Sequence, residues 1–188
     1  SQSLEGKKIA LFGVGALGGT VATLLAKAGI GELRLVDSDL VRPTNAIRHE
    51  VGIAWIGMKK TLAVRSRVNQ HNPDCTVNTF EETWLEDDLR KIINEADLII
   101  DTTANKPFSL WLNQLAVAEK KSILFAAAYR RAAVGRLILL RAGGKLHDPC
   151  LACYLLADKY WNEDQYPIIP PDSNGFFEEE GCASVTEE

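Results

Sequence analysis

The run KIALFGVGALGGTVATLLAKAG, residues 8–29, decides the fold. Lys8 to Phe12 is a short apolar strand, cut off by glycines. Ala16 to Ala28 reads as a helix of small and apolar residues, ended by Gly29 and Gly31. Between them Gly13, Gly15 and Gly18 form a G-x-G-x-x-G turn, in the strand-to-helix setting that gives such a turn meaning. The first glycine permits the tight turn, and the second lets the backbone come close to a phosphate. The third lets the helix pack on the strand, and the helix N-terminus adds partial positive charge. Glu32 to Val36 is the second strand. Asp37 stands at its carboxyl end, 22 residues after Gly15, where a carboxylate can accept both ribose hydroxyls. The turn and the aspartate suit an adenine nucleotide, and both NAD and ATP satisfy them.

The chain keeps alternating beyond this unit. A helix holding Thr61 to Asn69 starts near Gly57 and stops at Asn72 and Pro73. Thr76 to Phe80 alternates as a strand, Glu86 to Glu95 reads as an amphipathic helix, and Asp97 to Ile100 as a buried strand. Ser109 to Glu119 is a helix, Ser122 to Ala127 a strand, and Val134 to Arg141 a strand closed by a turn at Gly143 and Gly144. The expected class is α/β: a Rossmann-like parallel sheet with right-handed crossovers and helices on both faces. Residues 1–144 read as the nucleotide-binding domain. Residues 145–188, rich in Pro, Asn, Asp, Glu and aromatics and without a period, read as an irregular segment over the sheet. The last residues supply no closing element, so the sequence reads as an excerpt of a longer protein.

Composition narrows the partners. The 188 residues are 46% hydrophobic and 24% charged, with 21 Lys plus Arg against 25 Asp plus Glu. That balance favours neither nucleic acid nor an anionic membrane. The longest apolar runs are too short to span a bilayer, and the polar opening Ser1 to Lys8 is no signal peptide. Four cysteines make no disulfide framework at this length, which fits a reducing, cytoplasmic setting.

The residues after Asp37 separate the two nucleotides. Asp37-Ser-Asp39 runs into Asn45-Ala-Ile-Arg48 and then Gly57-Met-Lys59-Lys60. This order of motifs, from Leu4 to about Gly144, resembles the activating-enzyme superfamily of ThiF, MoeB, HesA and the ubiquitin-activating enzymes. The resemblance implies that Gly13, Gly15 and Gly18 line the phosphate side, that Asp37 binds ribose, and that Asn45, Arg48 and Lys60 contact the triphosphate. Lys59 is the alternative to Lys60, and the family spacing favours Lys60. The chemistry agrees, because adenylation must neutralise charge on the α-phosphate and on departing pyrophosphate. A guanidinium and an ammonium converging on one site supply that charge.

The family carries a D-x-T-D-N stretch, read here as Asp101-Thr102-Thr103-Ala104-Asn105. Asp101 and Asn105 match, whereas the second aspartate, which in relatives helps hold magnesium, is Ala104. Asp39 or Asp101 is then expected to serve Mg²⁺. Relatives also use an arginine from the N-terminal helix of a dimer partner. Only a few residues precede the first strand here, so that arginine is expected to be absent or to come from elsewhere, with Arg130 and Arg131 as the candidates. The resemblance further implies a homodimer.

Cys150-Leu-Ala-Cys153 sits where ThiF and MoeB place half of a Cys₄ zinc site, and Cys75 and Cys182 are poorly spaced to complete it. Gly181-Cys182-Ala183 falls where activating enzymes carry a cysteine on a crossover loop. The stretch from Tyr129 to Arg136 resembles bacterial members of the group, some of them fused to a conjugating-enzyme-like domain in antiphage operons. His49, His71 and His147 lack metal-ligand spacing and receive no role.

The expected activity is ATP-dependent adenylation of the C-terminal carboxylate of a ubiquitin-like or analogous protein, with transfer to the thiol of Cys182. An NAD-dependent oxidoreductase would explain Asp37 but leave Asn45, Arg48 and Lys60 idle. A non-catalytic binding member of the fold would explain Ala104.

Overall fold

The structure is a computed structural model, and it describes residues 3–81, 86–129, 134–143 and 149–158. Five parallel strands, β1 (Lys8–Phe12), β2 (Glu32–Val36), β3 (Thr76–Phe80), β4 (Leu98–Asp101) and β5 (Ile123–Tyr129), and antiparallel β6 (Val134–Leu140) form one sheet. The order is β3-β2-β1-β4-β5-β6, so the chain reverses its direction of travel between β1 and β4. The crevice at that reversal, at the carboxyl ends of the strands, is where open α/β sheets bind ligands.

The strands alternate strictly, which puts a core on each face. On one face Ile9, Leu11, Leu33 and Leu35 meet Ala22 and Ala26 of α1 (Ala16–Lys27) and Val64 and Val68 of α3 (Lys60–His71). On the other, Ala10, Phe12, Ile99, Ile123 and Phe125 meet α4 (Glu86–Asn94) and α5 (Lys106–Ala118). The short α2 (Pro43–Ala46) and a 3₁₀ turn at Ile53–Trp55 fill the connection from β2 to α3.

Two sequence expectations change. The helix expected from Gly57 begins at Lys60, because Gly57 N–H donates to the Val41 carbonyl and Val41 N–H to the Met58 carbonyl, both at 2.8 Å. Gly57 at φ +88° is outside helical geometry as well. Residues 145–188 are not irregular throughout, since Leu151–Asp158 forms α6. Leu151 is 2% exposed and joins the core under α5, and its N–H donates to Asn113 Oδ1 at 3.2 Å. The core therefore continues past Gly144. Among the described residues no helix is long and apolar enough to cross a membrane.

The turn after β1 and the loop after β4 are stitched together. Thr102 N–H donates to the Phe12 carbonyl at 2.8 Å, and Thr102 Oγ1 donates to the Gly13 carbonyl at 2.6 Å. Gly13 is at φ +78°, and a Cβ there would press on the Thr103 backbone at 2.8 Å. A Cβ on Gly18 would overlap the Gly13 carbonyl and the Thr102 hydroxyl. Gly18→Ala should therefore cost about 3 kcal/mol, at the upper end for overpacking. The melting temperature should fall by roughly 6–12 °C for a domain of this size. A change below about 2 °C in a calorimetric scan would show that α1 can slide away from the turn.

Candidate functional site

Two adjoining hollows lie over the carboxyl ends of β1 and β4. The first, of about 290 Å³, is bounded by Phe12, Val36, Phe80 and Phe108, with Asp37, Asp39, Glu81 and Asn105 as its polar groups. The Phe12 and Phe108 ring centroids are 5.8 Å apart. The second, of about 250 Å³, gathers Asn45, Arg48, His49 and Lys60 around the first turn of α1 and is walled by Ala104 and Ala126 to Ala128. Gly15, Lys60, Thr102 and Thr103 face both. The space over Gly15 is open, with no atom near the position of a Cβ.

Asp37 holds the turn. Its Oδ2 accepts from Val14 N–H at 2.8 Å and its Oδ1 from Asp39 N–H at 2.9 Å. A carboxylate offers about four acceptor positions, so lone pairs remain for a sugar. Asn45 caps its own short helix, its Oδ1 accepting from Arg42 N–H at 2.9 Å. That leaves the amide N–H₂ as a donor at the second hollow.

Lys60 is 9% exposed, and its ammonium lies 2.7 Å from Asp39 Oδ2. That hydrogen bond holds the Asp39 carboxyl below its usual range against partial burial. Lys59 is directed elsewhere, with Nζ donating to the Ser38 carbonyl at 3.0 Å. Arg48 is exposed at the mouth of the second hollow.

Of the two carboxylates expected to serve magnesium, Asp39 stands at the rim and Asp101 is turned away. Asp101 is 2% exposed and lines neither hollow. Its Oδ1 accepts from Thr103 N–H at 2.9 Å and from Thr103 Oγ1 at 2.7 Å, and its Oδ2 from Ser109 Oγ. Burial pushes its carboxyl above the usual range, and these hydrogen bonds offset part of the rise. Asp101 thus shapes the 102–105 loop. Asn105 ends that loop as the cap of α5, accepting from Phe108 N–H at 3.1 Å. Ala104 sits at φ +54°, a left-handed conformation that asparagine and aspartate adopt more readily than alanine.

Cys150 and Cys153 bring their sulfurs to 3.6 Å at the start of α6. Burial pushes the Cys150 thiol up, but the Cys153 backbone N–H and thiol outweigh it and leave it below the usual value. Among the described residues no third metal donor joins them. Cys182, Arg130, Arg131 and His147 lie outside the described residues. The residue missed from sequence is His49, which is buried in the second hollow. Its place directly after Arg48 is the one signal that could have found it.

The family model described as the ThiF family matches residues 1–174. The uncharacterized protein y4oA of Sinorhizobium fredii is 28% identical over 99% of this chain and 33% of its own length. The molybdopterin-synthase adenylyltransferase of Escherichia coli is 28% identical over 81% of this chain and 60% of its own. Among solved structures, E. coli MccB with ATP matches at a TM-score of 0.69 and 26% identity, over 84% of this chain and 47% of that one. The chain spans about a third of the length of relatives such as y4oA.

Proposed function

Because this chain belongs to the ThiF family, we propose that it uses ATP to adenylate the C-terminal carboxylate of a partner protein or peptide. The observation that carries the reading is the pair of adjoining hollows sharing Lys60. The first offers apolar rings for a base and Asp37 for a ribose. The second gathers a guanidinium, an ammonium and an amide around a helix N-terminus, which suits a chain of phosphates. Relatives point the same way, one being named an adenylyltransferase and another solved with ATP.

A carboxylate oxygen of the partner attacks the α-phosphorus of ATP. The new O–P bond forms as the bond from that phosphorus to the pyrophosphate oxygen breaks, giving an acyl-adenylate and pyrophosphate. Negative charge builds on the α-phosphate oxygens and the leaving group, and Lys60, Arg48 and the Asn45 amide are arranged to meet it. Small side chains at Ala126 to Ala128 leave room for the extended tail of the partner, a ubiquitin-like or analogous protein. The Cys182 thiol, on losing its proton, then attacks the acyl carbon, and a thioester forms as the acyl C–O bond to AMP breaks and AMP leaves. A reducing cytoplasm keeps that thiol available, and two copies of the chain form the working homodimer.

Magnesium fits this site as an ion held mostly by phosphate oxygens and water, which needs only one protein carboxylate. Asp39 at the rim is that carboxylate, and the ion would neutralise phosphate charge. Zinc at Cys150 and Cys153 requires two further donors from outside the described residues.

Nucleotide choice tests the reading. ATP with Mg²⁺ at 100 times its dissociation constant should add about 2.7 kcal/mol to stability, whereas NAD should add little. Stronger stabilisation by NAD than by ATP in a thermal-shift titration would overturn the ATP reading. One observation favours a second reading, a binding module that no longer adenylates. Ala104 leaves no carboxylate on that wall of the second hollow, while its backbone keeps the left-handed shape. ATP binding without partner-dependent pyrophosphate exchange would select it.

A further inference from the structure

His49 is 7% exposed on the wall of the second hollow, and neither ring nitrogen makes a hydrogen bond among the described residues. A neutral imidazole carries one N–H donor and one acceptor, and leaving them buried without partners is costly. The ring cannot readily swing out to water. Its Cε1 lies 3.6 Å from where a Cβ on Gly19 would stand, so α1 packs directly against it.

The charges acting on the ring are those of Lys60 of α3, Asp37 at the end of β2 and the neighbouring Glu50, and the Val14 carbonyl acts on it from outside hydrogen-bonding geometry. Burial and then Lys60 hold the imidazole below its usual range, against the pull of the two carboxylates and that carbonyl. The ligand-free ring is therefore neutral at pH 7 and presents one N–H. Around it stand the first turn of the 12-residue α1, which has no side-chain cap, together with Arg48 and Lys60. An acceptor that suits a neutral donor among cations and helix N–H groups is an anionic oxygen.

We propose that His49 donates a hydrogen bond from its imidazole N–H to the phosphate chain of the bound nucleotide. The proposal rests on the ATP reading above and adds a residue to it. A phosphate beside the ring favours imidazolium, so binding raises the His49 pKa. Linkage then fixes the sign. The bound pKa exceeds the free one, so the gain in affinity is full below the free value and is lost as pH rises through the bound value.

The test is a histidine ring ¹⁵N–¹H titration of the full chain from pH 5 to 8, with His49 assigned through His49→Gln. It is run alone and with Mg·ATP, inorganic pyrophosphate or adenosine. Both phosphate ligands should raise the His49 pKa, and adenosine should not. His49→Leu should weaken ATP about tenfold, the scale of one hydrogen bond to a charged group, and His49→Gln should recover most of it. A His49 pKa that does not respond while ATP binds overturns the contact and leaves the ATP reading standing. A shift with pyrophosphate in a chain that binds no ATP keeps the phosphate contact and overturns the nucleotide reading.

Discussion

Replacing Lys60 by methionine is expected to slow partner-dependent pyrophosphate exchange about 10²- to 10³-fold, the usual effect of removing one donor aimed at developing charge. Lys60 is the only cation facing both hollows among the described residues, so no neighbour substitutes for it. Methionine keeps the buried stem and deletes only the ammonium. Asp39 then loses its ion pair, but its side chain is 54% exposed and water can solvate it. Stability should therefore change by roughly 1 kcal/mol or less. If the charge acts mainly in the transition state, ATP affinity should fall much less than the exchange rate. Equal, small losses in both would place the chemistry elsewhere. Arg48→Ala should show the same pattern more weakly, since Arg48 is exposed and screened by solvent.

The second large effect is all-or-none. Cys182→Ala should retain pyrophosphate exchange and lose the reducible partner adduct on a non-reducing gel. A thiol is nucleophilic enough to take an acyl group from an adenylate without a strong base, provided it can approach. The stretch around Cys182 is polar and opens with a glycine, which suits approach. The thiolate is the reactive form, and nearby cations such as those of the second hollow would favour it. Raising pH should then speed adduct formation more than it speeds exchange. An adduct that survives in Cys182→Ala, or that vanishes only when Cys150 or Cys153 is replaced, assigns the acceptor to another thiol.

The parts legible in the sequence are those dictated by local chemistry. The bounds of β1, β2 and β3 come directly from alternation and glycine punctuation, because the backbone at Gly13 and Gly29 leaves few alternatives. The start of α3 is not legible in this way, since pairing with Val41 delays it and no local pattern reveals a partner that far back. The four-residue α2 is too short for a period. The eight residues of α6 form because Leu151 finds a core between layers, a tertiary cause. Motif order singles out the glycine turn, Asp37, Asn45, Arg48, Lys60 and Asn105, and the structure gathers these residues around the two hollows. The direction of Asp101 and the burial of His49 depend on which neighbours fold against them, and motif order carries no such information.

The stitch between Thr102 and the Gly13 turn has a consequence for how a ligand is received. A phosphate-binding turn left to itself must be frozen on binding, and that loss of freedom is subtracted from affinity. Here the turn is already fixed on both sides, by Asp37 through Val14 N–H and by Thr102 through the Gly13 carbonyl. A ligand meets N–H dipoles that are oriented before it arrives and need not reorganise during reaction. The same rigidity makes the turn and the 102–105 loop one mechanical unit. A change in either threonine is therefore felt along the whole turn that borders both hollows.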